Sequence, residues 1–151
     1  MKPKGFTLVE LLVVITVIAI LASVGLVMFT QAQKKARDGK RGLEVDAVAK
    51  SLETAHDLQA GSYLNQLSSD FPSGAPADPL GATDYCIKTG TDYGVVSDPN
   101  VSGWSSGCPG GSDSGWSKVS GTAFLGAVKS WKVCAKLEVT ASLYCRASVA
   151  R

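Results

Sequence analysis

One carboxylate stands at the head of a long uncharged stretch: Glu10 precedes residues 11–29, whose apolar run is interrupted only by Thr16, Ser23 and Gly25. Roughly 20 apolar residues are enough to cross the hydrocarbon of a bilayer. A carboxylate at that depth is costly unless it meets a cation, so an ionisable side chain in such a segment is a candidate for function. The lysines of the leader Met1-Lys-Pro-Lys-Gly5 lie outside the core and do not supply that cation. Cleavage after Gly5 would create one, the α-amino group of Phe6. The chemistry these residues imply is the pairing of an amine with a carboxylate in a low dielectric, not the turnover of a substrate.

The segment Lys4-Gly5-Phe6-Thr7-Leu8-Val9-Glu10-Leu11-Leu12 resembles the class III signal of type IV pilins and related pseudopilins. The resemblance covers about the first fifth of the chain. It implies cleavage between Gly5 and Phe6 by a prepilin peptidase, N-methylation of Phe6, and a role for Glu10 in filament assembly. It implies as partners identical or related pilin subunits in a helical filament, an assembly ATPase and a polytopic membrane platform protein. The mature chain would wait in the cytoplasmic membrane and end at the cell surface in an extracellular filament. Many of these proteins carry a proline in the middle of the membrane helix. Here Val27 stands in that region, and Gly25 is the residue able to loosen the helix. The resemblance leaves open a major pilin, a minor pilin, or a pseudopilin of a type II secretion or DNA-uptake system.

Other readings of the apolar run explain less. A buried core helix seldom extends so far without a polar face. A secretory signal peptide has a shorter apolar region followed by a small-residue cleavage site, and the apolar run continues past the poor candidate Ala22-Ser23-Val24. A single-pass anchor carrying an extracellular binding domain accounts for the length but not for Glu10 or for Gly5-Phe6.

Orientation is contested by the charges. Lys34, Lys35, Arg37, Lys40 and Arg41 outnumber Lys2 and Lys4 across the apolar segment, which by the positive-inside rule would put the carboxyl-terminal region in the cytoplasm. Four cysteines and a Gly/Ser-rich region argue for an oxidising exterior. The resembled families also face outward despite a basic segment after the anchor, and the outward orientation is preferred. The chain has 15 basic and 13 acidic residues, and removal of Lys2 and Lys4 leaves 13 against 13. A near-neutral chain does not advertise nucleic-acid binding over its surface, and it lacks the self-repulsion that would oppose packing against copies of itself.

These features need elements to position them. Beyond the apolar run, residues 30–60 are rich in helix formers, apart from Gly39 and Gly42. Leu43, Ala47, Val48, Ser51, Leu52, Ala55 and Leu58 recur at three- and four-residue steps and predict one apolar stripe. Gly61 suits a C-cap. A continuous helix over residues 6–60 would be on the order of 80 Å long. After it, residues 62–83 read as a Pro-containing loop, and 97–115 as an extended surface loop. Residues 85–88 and 93–96 read as short strands, and 131–137 with 142–146 as an antiparallel pair; residues 123–128 suit helix or strand. The expected fold is α+β and pilin-like, a long N-terminal helix packed on a small antiparallel sheet. Its parts are a cleaved leader 1–5, a transmembrane and filament-core segment 6–29, an amphipathic continuation 30–61 and one extracellular domain 62–151, for which 151 residues leave room.

Cys86, Cys108, Cys134 and Cys145 contain no CxxC pair, so a zinc site lacks its usual close ligands. Two disulfides are expected, and four cysteines permit three pairings. Cys86–Cys108 with Cys134–Cys145 is preferred because each closes a local loop and the second staples a hairpin. The resembled families support only the second, through their bridge near the carboxyl terminus.

No catalytic constellation is evident. His56, the sole histidine, falls on the expected helix and suits a surface or packing role. No Gly-x-Ser-x-Gly elbow or phosphate-binding glycine loop stands out. Asp98-Pro-Asn100-Val-Ser102 imitates the opening of a calcium loop, but Pro109 stands where the closing acid belongs. Asp78-Pro79-Leu80-Gly81 with Tyr85 weakly resembles the loop of major type II secretion pseudopilins in which calcium can bind. The segment 34–41 could hold DNA phosphates. It fits better as a solvated or intersubunit helix face exchanging charge with Glu44 and Asp46. The function expected is therefore a structural filament subunit without cofactor or metal.

Overall fold

The computed structural model describes residues 5–57, 60–63, 71, 76–81, 85–90, 92, 96, 99, 104, 108, 115–119 and 128–148. Its spine is α1 (Leu8–Thr54), 47 residues and about 70 Å long. The helix runs unbroken through Gly25 and Val27. Thr7 caps it at the start. At its end the Ala55 N–H donates to the carbonyls of Ser51 (3.1 Å) and Leu52 (3.2 Å).

The helix stops short of Ala60 because the chain is drawn into strand pairing. β1 (His56–Asp57) pairs antiparallel with β2 (Ser62–Tyr63). Asp57 accepts from the Ala60 N–H at 3.1 Å, and Tyr63 N–H donates to the Val128 carbonyl at 2.7 Å. Gly61 does adopt a positive φ of 58°, but it serves the turn between these strands rather than the helix C-terminus. His56 accordingly sits on β1, half-buried with its ring edge-on to Tyr63 at 4.7 Å, and not on the helix.

The main sheet has the order β4-β3-β5-β6, all antiparallel, with β3 (Cys86–Gly90), β4 (Trp116–Lys118), β5 (Ser130–Lys136) and β6 (Leu143–Ala147). The expected carboxyl-terminal pair is present as β5 and β6. The expected strand near Cys86 is also present, but its partners are β4 and β5. Of 93–96 only Val96 lies among the described residues, and it is in no strand; residues 123–127 and most of 97–115 also lie outside them. Strand β4 has no counterpart in the sequence reading.

Alternation sorts the side chains of the central strands. Ile87, Trp131, Val133 and Ala135 pack with Val45, Val48 and Leu52 of the helix and with Tyr63, Tyr85 and Val128. Cys86 and Cys134 lie on the other face with Trp104 and Trp116. Strand β5 is thus covered on both sides. Trp104 is fully buried, although its neighbourhood in sequence reads as surface loop.

Both preferred disulfides are present. Register places Cys86, Cys134 and Cys145 side by side across β3, β5 and β6. Cys134 and Cys145 are 4.1 Å apart at Cα, a narrow pair, while Leu137 N–H bonds the Ser142 carbonyl in the alternating wide position. Alternation then makes the Cys86 side of Cys134 the wide one. Cys134 therefore bridges to β6, and Cys86 turns to Cys108.

The stripe that packs on the sheet is Arg41, Val45, Val48 and Leu52, at four- and three-residue steps. Val48 and Leu52 are as expected. Leu43 and Ala47 face away, Leu43 being 73% exposed. The reason is Arg41, a core residue that an apolar pattern cannot find. The residue is 1% exposed, and its guanidinium meets Asp78 at 2.6 Å, Glu138 at 2.7 Å and Asp38 at 2.9 Å. Arg37 forms a two-pronged contact with Glu138 (2.9 and 2.7 Å), and Asp38 accepts the backbone N–H groups of Glu138 (2.7 Å) and Val139 (2.9 Å). Burial opposes the Arg41 charge, but its three carboxylate partners outweigh burial and push its pKa further up. Hydrogen bonds from Arg37, against the pull of burial and with help from Arg41, hold Glu138 down to about 2. Tyr85 donates to Glu44, and burial together with that carboxylate pushes its pKa up.

Breaking a buried charge cluster at one partner leaves the others uncompensated, so Arg41→Leu should cost on the order of 3 kcal/mol near neutral pH. Denaturant unfolding of the full chain in detergent measures it. Glu138 has a folded value below its ordinary 4.5, so its contribution is complete above that pH and is lost as pH falls toward about 2. The difference between wild type and variant should shrink over the same window; an equal difference at both ends would discount the charges. Replacing Cys134 and Cys145 together by serine should cost about 3 kcal/mol on the same assay.

Candidate functional site

The amino-terminal turn is built around one threonine. Thr7 is the N-cap of α1, with φ −83° and ψ 151°. Its hydroxyl oxygen accepts the Glu10 N–H at 3.3 Å. Its own N–H (2.9 Å) and O–H (2.8 Å) both donate to Oε2 of Glu10. This reciprocal arrangement is a capping box, which satisfies donors that a helix start otherwise leaves open. Its sequence signature is Thr7-x-x-Glu10 before an apolar run, a structural signal separate from the charge of Glu10. Glu10 thus has a local structural role in addition to any pairing with another chain.

Gly5 and Phe6 precede the helix in non-helical chain, and both are exposed, Phe6 to 87%. No atom beyond its chain neighbours lies within 4 Å of where a Cβ on Gly5 would sit. Gly5, Phe6, Thr7 and Glu10 fall together within about one turn at one end of the rod. Cys86, Cys134 and Cys145 lie in the sheet and Cys108 is bonded to it, so none of the four takes part there.

From Leu8 to Phe29 every residue of the helix is exposed. Its large apolar side chains range from 49% exposed at Val17 to 80% at Leu8. It is long and apolar enough to cross a membrane. Its hydroxyls do not interrupt it, because Thr16 donates to the Val13 carbonyl (2.8 Å) and Ser23 to that of Ile20 (2.7 Å). In hydrocarbon such internal bonds spare the cost of an unpaired polar group. Apolar surface on this scale marks contact with lipid or protein.

The basic segment after the span is largely engaged within the subunit. Arg37 and Arg41 enter the cluster with Asp38, Asp78 and Glu138, and Lys40 lies 3.6 Å from Glu44. Asp46, expected to serve that segment, instead accepts from Arg146 (2.7 Å) and Tyr144 (3.1 Å). The Arg146 hydrogen bond leads in holding the Asp46 carboxyl below its ordinary range. Asp78 pairs with Arg41 at 2.6 Å, and among the described residues no group of three or more His, Cys, Asp or Glu is placed to hold a metal ion. Asp98, Asn100 and Ser102 lie outside the described residues.

Residues 1–26 match the family model for the prokaryotic N-terminal methylation motif. The type IV wide pilus major component PilA4 of Thermus thermophilus is 31% identical over 102 residues, covering 62% of this chain and 77% of that protein. No solved structure matches the chain. The signal, this relative and the apolar amino-terminal helix fit membrane anchoring followed by an extracellular filament. The match to the signal, together with a relative aligned over most of its own length, has one consequence: this chain belongs to the type IV pilin family, whose members are filament subunits.

Proposed function

We propose that the chain is a non-catalytic structural subunit of a type IV pilus or a related filament. It is stored in the cytoplasmic membrane through residues 6–29 and assembled outward, with the domain beginning at residue 62 outside the cell. One observation carries this reading: the lower half of α1 is bare on every side and headed by a carboxylate. Lipid covers that surface in storage, and neighbouring subunits cover it in the fibre. A prepilin peptidase removes residues 1–5, and the new Phe6 amine is methylated. Glu10 neutralises the Phe6 amine of an incoming copy. An assembly ATPase and a membrane platform protein supply the work of extraction. The same scheme describes a pseudopilin of a secretion or DNA-uptake system.

Two outcomes are expected. Mass spectrometry of the membrane-resident chain should give a start at Phe6 with one added methyl, and Gly5→Val should leave the leader attached. A wild-type chain still starting at Met1 in cells that make its filaments would reject the scheme.

Glu10→Gln isolates the charge, because glutamine also completes a capping box. The variant should insert and be cut normally yet give roughly tenfold fewer sheared fibres, having lost one partner of a desolvated charge pair. A plain membrane anchor would insert at least as well with the amide, which is cheaper in hydrocarbon. Unchanged fibre yield would remove the amine–carboxylate pair from the mechanism.

A further inference from the structure

The upper half of α1 has a second face that the subunit does not use. Phe29, Ala32, Ala36, Gly39, Leu43 and Ala47 follow one another at three- and four-residue steps. All are exposed, Phe29 to 62% and Leu43 to 73%. Every charged residue between positions 30 and 47 falls off this line, although the segment is densely charged. The line lies opposite the Arg41, Val45, Val48 and Leu52 stripe that packs on the sheet. It is also continuous, through Phe29, with the bare apolar surface of the lower half.

Gly39 is the informative position. A glycine inside a helix costs about 1 kcal/mol relative to alanine. A Cβ at Gly39 would meet nothing within 4 Å, whereas one at Gly42 would lie 3.9 Å from Tyr144. The fold of the single subunit therefore gives Gly39 no steric reason to lack a side chain. Backbone approach by something outside the subunit would.

We propose that this face seats the apolar helix half of a second copy of the chain, with Gly39 at the point of closest approach. The occupant follows from what each surface requires. Once out of the bilayer, residues 8–29 of any copy must be covered by apolar surface. On the charged upper helix the uncharged line is the face able to supply it. A soluble partner would more often match the charged flanks, and lipid reaches only the lower half. The inference rests on the filament reading and adds where on the helix neighbouring copies meet.

The test compares Gly39→Ala and Gly39→Leu for membrane level and sheared-fibre yield beside wild type and Glu10→Gln. Both substitutions raise helix propensity and enter open space within the subunit, so the isolated chain should fold at least as well. Alanine should hold fibre yield within about twofold, while leucine should lower it by roughly tenfold through overpacking. Unchanged yield with leucine would overturn the seat while leaving the filament reading intact. Equal losses with alanine and leucine would assign Gly39 to bending and also overturn it. If wild type yields no fibre with the assembly machinery present, the filament reading fails and this inference falls with it. A photo-crosslinking residue in place of Leu43 gives an independent readout should the leucine variant fail to accumulate. Adducts in fibres should map to residues 8–29 of another copy, and adducts confined to the globular domain would overturn the proposal.

Discussion

The buried guanidinium of Arg41 fixes where the domain sits on its helix. One side chain gathers Asp38 from the helix, Asp78 from the loop before β3 and Glu138 from the β5–β6 connection. Three segments distant in sequence are thereby held at one level of the rod. Above that level Val45, Val48 and Leu52 bury apolar surface against the sheet, which supplies the driving force. Apolar contact alone does not set the domain's height along a helix, since the stripe repeats at every turn. A hydrogen-bonded fork facing three carboxylates has one register, so the cluster specifies position where the core supplies adhesion.

Below Arg41 the same helix obeys a different constraint. Its lower half is exposed around its whole circumference. In water that surface would be intolerable, so it is in lipid or against other subunits throughout its life. Its polar groups are arranged accordingly. Thr16 and Ser23 return their hydroxyls to the preceding turn, and Glu10 is held by Thr7 through one oxygen, Oε2. A carboxylate has capacity for further donors at its other oxygen. The capping box and a contact from a neighbouring amine are therefore compatible, and neither need be broken to make the other.

Much of this was legible from residue types. The uncharged apolar run gave the membrane half of the rod, segments 131–137 and 142–146 gave β5 and β6, and local loop closure gave both disulfides. The failures have specific physical causes. The packing stripe differs from the apolar pattern because Arg41 is buried by virtue of Asp78 and Glu138, partners far off in sequence and beyond the reach of any local pattern. The helix was drawn too long because His56 and Asp57 are claimed by pairing with Ser62 and Tyr63, a tertiary preference over helix propensity. Trp104 was assigned to surface because its Gly/Ser-rich neighbours are polar, whereas its ring fills the sheet face turned away from the helix. At the amino terminus the converse holds: the Thr7–Glu10 box is wholly local, and Thr-x-x-Glu before an apolar run is its sequence signature.

The division of labour along the rod also explains why the domain needs its bridges. A helix covers only one face of the four-stranded sheet, and no second helix covers the other among the described residues. That second face is closed by Trp104 and Trp116 and by chain carrying Cys108, which is bonded to Cys86 in the sheet. A covalent tie compensates for the small core there by restricting the unfolded chain. The domain's stability then derives from residues 41–52 of the helix, its ion cluster and its disulfides, and none of these touches residues 8–29. The lower half can exchange lipid for protein while the domain's own folding free energy stays nearly constant. A subunit that must pass from membrane to fibre without unfolding requires that separation.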